Sequence, residues 1–306
     1  MKKNEVRIIG LGLHSGDLSV MTATPAASGG IVFVRGGREV PALYGNVSET
    51  KYRSTTIGRG KHTIKTIEHL MASLFALRIT DVKIAIASAE TPILDGGATQ
   101  FMNELKSLGG KGGFRTYLRV KRPVIAHATE VVKELPFFQR WPLRISNYIK
   151  GWKLDGYVRL VPTTKKELRI SARIRRNEPV VGDQKYEFVF DYDNFAGSAA
   201  AFAKDVAKAR TFGTLAEWAW LKKHGMGRGC NEHNVLVLDE TGKGTLNERY
   251  YADEFVRHKI IDTAGDLYTS GYPVIGRIES FRGSHAMNNL VLKKLFADPK
   301  NYDIIA

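Results

Sequence analysis

A helix followed by a strand occurs twice in this sequence, once in each half, and this repetition limits the folds open to the chain. In the first half, the apolar spacing of residues 63–77 predicts a helix and the alternation of residues 79–87 predicts a strand. In the second half, residues 255–267 and 271–280 repeat the pattern. The two halves are therefore expected to share one plan.

A glycine-rich stretch, GGKGG at 109–113, lies between the two halves and is the best candidate for a linker. The strand-like residues 114–126 follow it. A chain of 306 residues with 43% hydrophobic content is long enough for two domains. We therefore predict an N-terminal domain over 1–112 and a C-terminal domain over 113–306.

The cysteine content and the apolar runs indicate where the chain resides and which metal sites it can build. Cys230 is the single cysteine, so neither an internal disulfide nor a zinc site of several thiolates can form. The apolar runs are too short to span a membrane, and the first residues lack a secretory pattern. We expect a cytoplasmic protein whose metal ligands, if it has any, are histidines and carboxylates.

The formal charge of +15 favours anionic partners such as nucleotide phosphates, nucleic acid or an anionic membrane. The sequence has no zinc-finger spacing and no RNP-type aromatic motif, so we predict that nucleic acid is not a partner.

The stretch EFVRHKIIDTAGDLY, residues 254–268, places polar side chains inside an otherwise apolar helical pattern. His258, Asp262 and Asp266 follow one another at intervals of four residues and therefore share one face of the helix. A buried helix with such a face must meet a polar group or a metal ion.

Further candidates for the same chemistry are the neighbours Glu68 and His69, and His285 in a predicted loop after the last strand. Two histidines and one carboxylate leave coordination positions open, as a catalytic zinc or a non-haem iron requires. Glu68 could then take a proton from water. Each histidine could also be a core or surface residue, and spacing alone does not bring His69 to His258.

Six segments resemble those of the UDP-3-O-acyl-N-acetylglucosamine deacetylases, the zinc amidases of lipid A biosynthesis. They follow the family order over nearly the whole chain and are GLGLHSG (10–16), TIEHLMASL (66–74), ETPILDGGATQF (90–101), KARTFG (208–213), DEFVRHKIIDTAGDLY (253–268) and SFRGSHAMNNLVL (280–292). The resemblance implies an α/β (α+β) fold. It consists of two domains of like topology, with helices sandwiched between two mixed sheets.

The resemblance also implies a metal site and a base. His69, His258 and Asp262 match the ligands of Zn²⁺, although the residue types alone would also accept Fe²⁺. Glu68 matches the general base, which deprotonates the water that attacks the acetamide carbonyl. The substrate would be a UDP-linked acylated amino sugar, and the protein is expected to be a monomer.

Five more residues match family positions in the active site. Thr211 matches a hydroxyl that helps to hold the oxyanion, and His285 matches the imidazolium that stabilises the oxyanion and protonates the leaving amine. Asp266 matches the carboxylate that orients His285. Lys259 and Phe212 match residues that bind the substrate. Because the base and the acid come from different domains, we expect the site in the cleft between them.

A family insert near 211–233 is expected to wall a passage for the acyl chain of the substrate. Leu215 and Trp218 fall three residues apart and should share the apolar face of its helix. Trp218 stands where the resemblance suggests a smaller aliphatic side chain, so the indole would shorten or bend the passage. The alternative is that Trp218 packs as ordinary core.

Two segments depart from the family pattern. Residues 127–157 look longer than the usual connection, and the aromatic and basic residues in 133–153 suit peripheral contact with an anionic membrane. A small satellite core is the alternative. Cys230 stands where glycine is usual, and a buried, inert thiol is the simplest interpretation.

Two other classes of function stay open from the residues alone. One is a different His/His/Asp metalloenzyme, such as an Fe(II) oxygenase, which would have no need of Glu68 beside a ligand. The other is a catalytically silent protein that uses the same fold and its basic surface for binding.

Overall fold

A computed structural model of the chain describes residues 5–50, 54–109, 114–134 and 154–306. These residues form seven α-helices and sixteen β-strands. The helices are α1 (Glu68–Ala76), α2 (Thr99–Leu105), α3 (Ala128–Glu134), α4 (Phe195–Asp205), α5 (Leu215–Lys223), α6 (Glu254–Tyr268) and α7 (His285–Ala297). The first eight strands are β1 (Val6–Leu11), β2 (Leu18–Pro25), β3 (Ile31–Arg35), β4 (Arg38–Pro41), β5 (Val47–Glu49), β6 (Thr56–Ile57), β7 (Val82–Ile86) and β8 (Tyr117–Val120). The others are β9 (Val124–His127), β10 (Tyr157–Val161), β11 (Glu167–Arg175), β12 (Asp183–Asp191), β13 (Thr211–Thr214), β14 (Val235–Leu238), β15 (Val274–Phe281) and β16 (Tyr302–Ile305).

The two main sheets are mixed, and five strands of the second, seven-stranded sheet repeat the strand order of the first. The first runs β1-β2-β7-β3-β4, and its central strand β7 is antiparallel to β2 and parallel to β3. The second runs β9-β10-β15-β11-β12, and its central strand β15 is antiparallel to β10 and parallel to β11. In each sheet the central strand is the one that follows a helix, α1 or α6. The predicted mixed sheets of like topology are therefore confirmed.

Helices α1, α6 and α7 lie between the two sheets. Helix α6 contacts α1 on one side and strands β11 and β12 on the other, while α7 packs against β9 and β10. Apolar side chains of α1, among them Leu70 and Leu74, share one buried cluster with Phe33 and Ile84 of the first sheet. Helices α1 and α6 therefore pack directly against each other in the layer between the sheets. The domain limits 1–112 and 113–306 remain a prediction, because residues 110–113 lie outside the described residues.

Helix α1 begins later than the sequence predicted. Residues 63–67 are not helical: Thr66 has a positive φ of 60°, and Ile64 pairs with Ile57 in a β-bridge. The φ angle of Thr66 and the β-bridge of Ile64 are set by the surrounding fold, so the apolar spacing of residues 63–77 could not predict them. Their consequence is that Glu68 and His69 occupy the first turn of α1.

Two other sequence expectations need correction. Residues 114–126 contain two strands, β8 and β9, because the chain turns at Arg122 and Pro123 between them. His285 does not lie in a loop but is the first residue of α7, where the Ser284 side chain caps the helix by accepting a hydrogen bond from the Met287 N–H. The helix predicted at 255–267 and the strand at 271–280 are confirmed as α6 and β15.

The long segment 127–157 is described only at its two ends. Helix α3 follows β9 directly, and β10 begins at Tyr157. Residues 135–153 lie outside the described residues, and with them nearly all of the stretch 133–153 for which membrane contact was expected. None of the helices in the described parts of the chain is long and apolar enough to cross a membrane.

Helices α1 and α6 cross at Gly265. A Cβ atom at this position would overlap the carbonyl oxygen of Glu68 and would lie 3.1 Å from the backbone nitrogen of Ala72. Only a residue without a side chain lets the two backbones approach so closely. The crossing brings the first turn of α1 against the polar face of α6.

We expect Gly265→Ala to destabilise the protein, although alanine has the higher helix propensity by about 1 kcal/mol. The added methyl group meets backbone atoms of α1 that cannot rotate away, and overpacking of this kind costs roughly 1–3 kcal/mol. Thermal and urea unfolding of the two proteins measures the difference. Gly45→Ala is the matched control, because a Cβ atom there meets nothing within 4 Å. Equal stability of the two variants would contradict a tight crossing at Gly265.

Candidate metal centre and active site

Three buried side chains from α1 and α6 form a cluster that could hold a metal ion. His69, His258 and Asp262 each offer one ligand atom, and these atoms all lie within 4.8 Å of one another. Oδ1 of Asp262 lies 3.7 Å from Nε2 of His69 and 3.3 Å from Nε2 of His258. The structure thus brings together residues that are 193 positions apart in the chain, counted from His69 to Asp262.

Hydrogen bonds and charges suit these three side chains to a cation. Nδ1 of His258 lies 3.0 Å from the carbonyl oxygen of Ala209, which fixes the ring with Nε2 toward Asp262. Oδ1 of Asp262 is buried and has no hydrogen-bond partner among the described residues. A buried carboxylate oxygen that faces two imidazoles and accepts no hydrogen bond is suited to bind a metal ion. The donor set fits Zn²⁺ or Fe²⁺.

The pKa shifts of His69 and Asp262 favour the forms of these two side chains that bind a metal ion. Burial lowers the pKa of His69, which favours the neutral imidazole. Burial by itself would raise the pKa of Asp262, but the neighbouring His258 and Lys259 outweigh it and hold the pKa well below its usual range. Nζ of Lys259 lies 2.6 Å from Oδ2 of Asp262.

Glu68 and His285 face each other beside this cluster. Oε1 of Glu68 lies 4.0 Å from Nε2 of His285, and both side chains are almost completely buried. Nδ1 of His285 lies 2.7 Å from Oδ2 of Asp266, so the ring is held from its other side. Asp266 and the candidate ligands His258 and Asp262 share one helix face, as the spacing predicted.

The pKa values of Glu68 and His285 are both raised, but from different causes. For Glu68, burial is the main cause and raises the pKa to about 8. For His285, burial acts to lower the pKa, but the carboxylates of Asp266, Asp262 and Glu68 together raise it to about 10. The imidazolium form of His285 is therefore favoured at neutral pH.

Two residues that sequence reasoning missed also bind Asp266. The Thr55 hydroxyl donates to Oδ1 at 2.6 Å, and Nδ2 of Asn288 donates to Oδ2 at 2.8 Å. Asn288 could have been found, because it follows His285 by three residues and shares its helix face. Thr55 lies in an ordinary Ser-Thr-Thr run, and nothing in its local sequence marks it.

The segment before β13 is tied to the first turn of α6. The buried Arg210 pairs with the fully buried Glu254 at 2.9 Å, and the preceding Ala209 carbonyl contacts His258. Thr211 follows directly, and its N–H donates to the carbonyl oxygen of Gly96 at 2.9 Å. The Phe212 ring meets the His258 ring edge-on, with centroids 6.2 Å apart. Phe212 thus lies beside His258, and Thr211 precedes it in the chain.

Leu215 and Trp218 lie apart from this centre, in a second and smaller hydrophobic cluster. Both residues are half-buried on α5. They pack against the buried residues of this cluster, which are Leu13, Ile93, Val235 and Val237. The Trp218 indole N–H donates to the carbonyl oxygen of Gly227 at 3.2 Å, and Nζ of Lys222 lies 4.2 Å from the ring centroid. Trp218 therefore has both packing and hydrogen-bond partners within the protein.

Cys230 contacts the same small cluster. Its thiol lies 3.8 Å from the carbonyl oxygen of Leu13, and burial raises its pKa to about 11. The thiolate is the reactive form of cysteine, so a pKa this high agrees with the inert thiol predicted from the sequence.

The chain is similar to known deacetylases over nearly its whole length. Residues 2–297 match the model of the LpxC family, UDP-3-O-acyl N-acetylglycosamine deacetylase. Three relatives are named UDP-3-O-acyl-N-acetylglucosamine deacetylase. The protein from Pseudomonas entomophila (strain L48) is 32% identical and covers 99% of this chain and 91% of its own. The proteins from Helicobacter pylori (strain ATCC 700392 / 26695) and Helicobacter hepaticus (strain ATCC 51449 / 3B1) are 32% and 33% identical, each over 99% of this chain and 92% of its own. The chain belongs to the UDP-3-O-acyl N-acetylglycosamine deacetylase family.

Proposed function

We propose that this protein hydrolyses the N-acetyl group of UDP-3-O-acyl-N-acetylglucosamine in lipid A biosynthesis, giving acetate and the free amine. The observation that carries the proposal is the arrangement of three metal-ligating side chains beside an opposed carboxylate and imidazole. Amide hydrolysis needs an activated water and a proton for the leaving amine. The arrangement offers one group for each task.

His69, His258 and Asp262 would hold the metal ion, for which we propose Zn²⁺ and name Fe²⁺ as the alternative. When bound, the ion acts as a Lewis acid that makes water a stronger nucleophile and polarises the acetyl carbonyl. Its positive charge would also favour the ionised form of Glu68, whose pKa burial otherwise raises.

Glu68 is proposed as the general base that takes a proton from the attacking water. His285 is proposed as the acid that donates its Nε2 proton to the leaving amine, while Asp266 orients the ring and keeps it protonated. The attacking water forms a bond to the acetyl carbon and the C–N bond breaks. The leaving nitrogen takes its proton from His285, while Glu68 holds the proton taken from water. The Thr211 hydroxyl would help to stabilise the oxyanion.

The remaining site residues are assigned to the substrate. Lys259 and Phe212 lie against the metal ligands Asp262 and His258, where they could contact the sugar or its phosphates. The small cluster around Leu215 and Trp218 is the proposed wall for the acyl chain, because it is apolar and these two side chains are partly exposed. A cytoplasmic location, a monomeric state and the absence of a nucleic-acid partner remain predictions from the sequence.

An Fe(II) oxygenase is less well supported by the same geometry. Such an enzyme activates dioxygen and requires neither a carboxylate base nor a protonated imidazole facing the metal. Here Glu68 and His285 face each other beside the cluster, and each is almost fully buried.

Replacement of a metal ligand and replacement of the base should have different effects. We expect His258→Ala and Asp262→Ala to lose both the metal and the activity. Glu68→Ala should keep the metal and lose roughly 10²- to 10⁴-fold in rate. Metal analysis of the purified proteins and acetate release from the UDP-sugar measure the two effects. Full activity of a metal-free preparation would refute the metal-hydrolase assignment.

The pH dependence of kcat/KM should be bell-shaped. The rate rises as Glu68 loses its proton and falls as His285 loses its own, so the alkaline limb should lie well above the ordinary histidine pKa of 6.5. His285→Ala should abolish the alkaline limb, whereas His127→Ala, at an exposed histidine of β9, should keep it. An alkaline limb that survives in His285→Ala would assign the acid to another group.

Trp218→Leu should shift the preferred substrate toward longer acyl chains if the small cluster binds the acyl group. Removal of the indole opens space, and each newly accommodated methylene should contribute about 0.8 kcal/mol. The measurement is kcat/KM over a series of acyl chain lengths, with the melting temperature recorded in parallel. An equal loss at every chain length together with a lower melting temperature would identify Trp218 as structural.

A further inference from the structure

Thr55 contacts both halves of the proposed acid–base machinery. Its backbone N–H donates to Oε2 of Glu68 at 2.9 Å, and its hydroxyl donates to Oδ1 of Asp266 at 2.6 Å. The residue is 2% exposed and directly precedes the short strand β6. One residue thus holds the proposed base and the carboxylate that orients the proposed acid.

These two hydrogen bonds, a third between His285 and Asp266, and the ion pair of Glu68 with His285 connect four buried residues in a ring. From Thr55 the ring passes to Glu68, across 4.0 Å to Nε2 of His285, through Nδ1 to Asp266, and back to the Thr55 hydroxyl. Asn288 binds Asp266 from outside the ring at 2.8 Å. Each oxygen of Asp266 therefore has a donor, and the carboxylate plane is fixed.

The ring couples the orientation of two carboxylates that would otherwise turn independently. Glu68 and Asp266 sit on different helices, and each side chain can rotate about its own bonds. The two donors of Thr55 belong to one residue, so their separation is set by covalent geometry. Rotation of either carboxylate would leave a buried donor or acceptor unpaired, which is energetically costly.

The ring also spans the two halves of the chain. Thr55 and Glu68 belong to the first half, whereas Asp266 and His285 lie in the second, and 211 residues separate Thr55 from Asp266. A threonine hydroxyl usually bonds to nearby backbone. Here it reaches from the segment before β6 to helix α6 and so links the two halves of the chain.

We propose that Thr55 is a positioning residue that locks Glu68 and the Asp266–His285 pair into one productive arrangement. The inference rests on the proposed roles of Glu68 and His285. Thr55 does not touch the reacting atoms but acts through the two carboxylates that it holds. It thereby extends the active site to a residue outside the metal-ligating helices.

The decisive variant is Thr55→Val in the metal-loaded enzyme, because valine has nearly the same shape and keeps the backbone N–H to Glu68. With UDP-3-O-acyl-N-acetylglucosamine as substrate, we expect kcat to fall roughly 10- to 100-fold, as for other losses of precise orientation, while KM changes less than about twofold. Metal content should stay equal to that of the parent protein. Thr55→Ser, which restores the hydroxyl, should recover most of kcat.

Thr56→Val is the matched control. Thr56 is the next residue and 3% exposed, and among the described residues its side chain has no hydrogen bond to Glu68 or Asp266. We expect its kcat to stay within about twofold of the parent. A loss equal to that of Thr55→Val would show that any buried change here is harmful and would overturn the proposal.

A double-mutant cycle separates positioning from general damage. In an Asp266→Ala background the hydroxyl has no carboxylate to hold, so adding Thr55→Val should lower kcat by less than about threefold. Full additivity would overturn the proposal, as would an unchanged kcat in Thr55→Val, a loss of metal in that variant, or failure of Thr55→Ser to recover activity. These outcomes leave the proposed function standing. The proposed function would be overturned by a different result, namely full activity of both Glu68→Ala and His285→Ala.

Discussion

The close crossing of α1 and α6 is the constraint on which the rest of the structure depends. Gly265 lets the two backbones meet without an intervening side chain, directly at the turn that carries Glu68 and His69. Any residue with a Cβ atom would separate the helices and lengthen the distances within the metal cluster. The ligands come from both helices, so neither helix alone forms the site.

Burial of charge is the second condition that this geometry imposes. The carboxylates of Glu68, Asp262 and Asp266 lie in a region almost free of solvent, with Lys259 and His285 as the cationic side chains nearest to them. Isolated buried charges are costly, so such a group is retained only where ion pairs, hydrogen bonds or a metal compensate it. The polar face of α6 is therefore explained by what it binds rather than by its contribution to stability.

Local periodicity was enough to predict helix α6, the shared face of His258, Asp262 and Asp266, and the strand after it. The pairing of His69 with His258 could not come from spacing and was supplied by the family resemblance. The start of α1 was placed too early because the positive φ of Thr66 is imposed by contacts distant in sequence. Thr55 was missed for a related reason, since its partner Asp266 is remote and its neighbours are unremarkable.

The common strand order of the two sheets bears on how such a molecule could have arisen. An order repeated within one chain is what duplication of a single ancestral unit leaves behind, and α1 and α6 are then the equivalent helices of the two copies. Each of these helices carries one histidine of the candidate metal cluster, His69 on α1 and His258 on α6. The carboxylate of Asp262 and the imidazole of His285 belong to the second copy alone. On this view the two copies have specialised, and exchanging one helix for the other would no longer reproduce either half of the site.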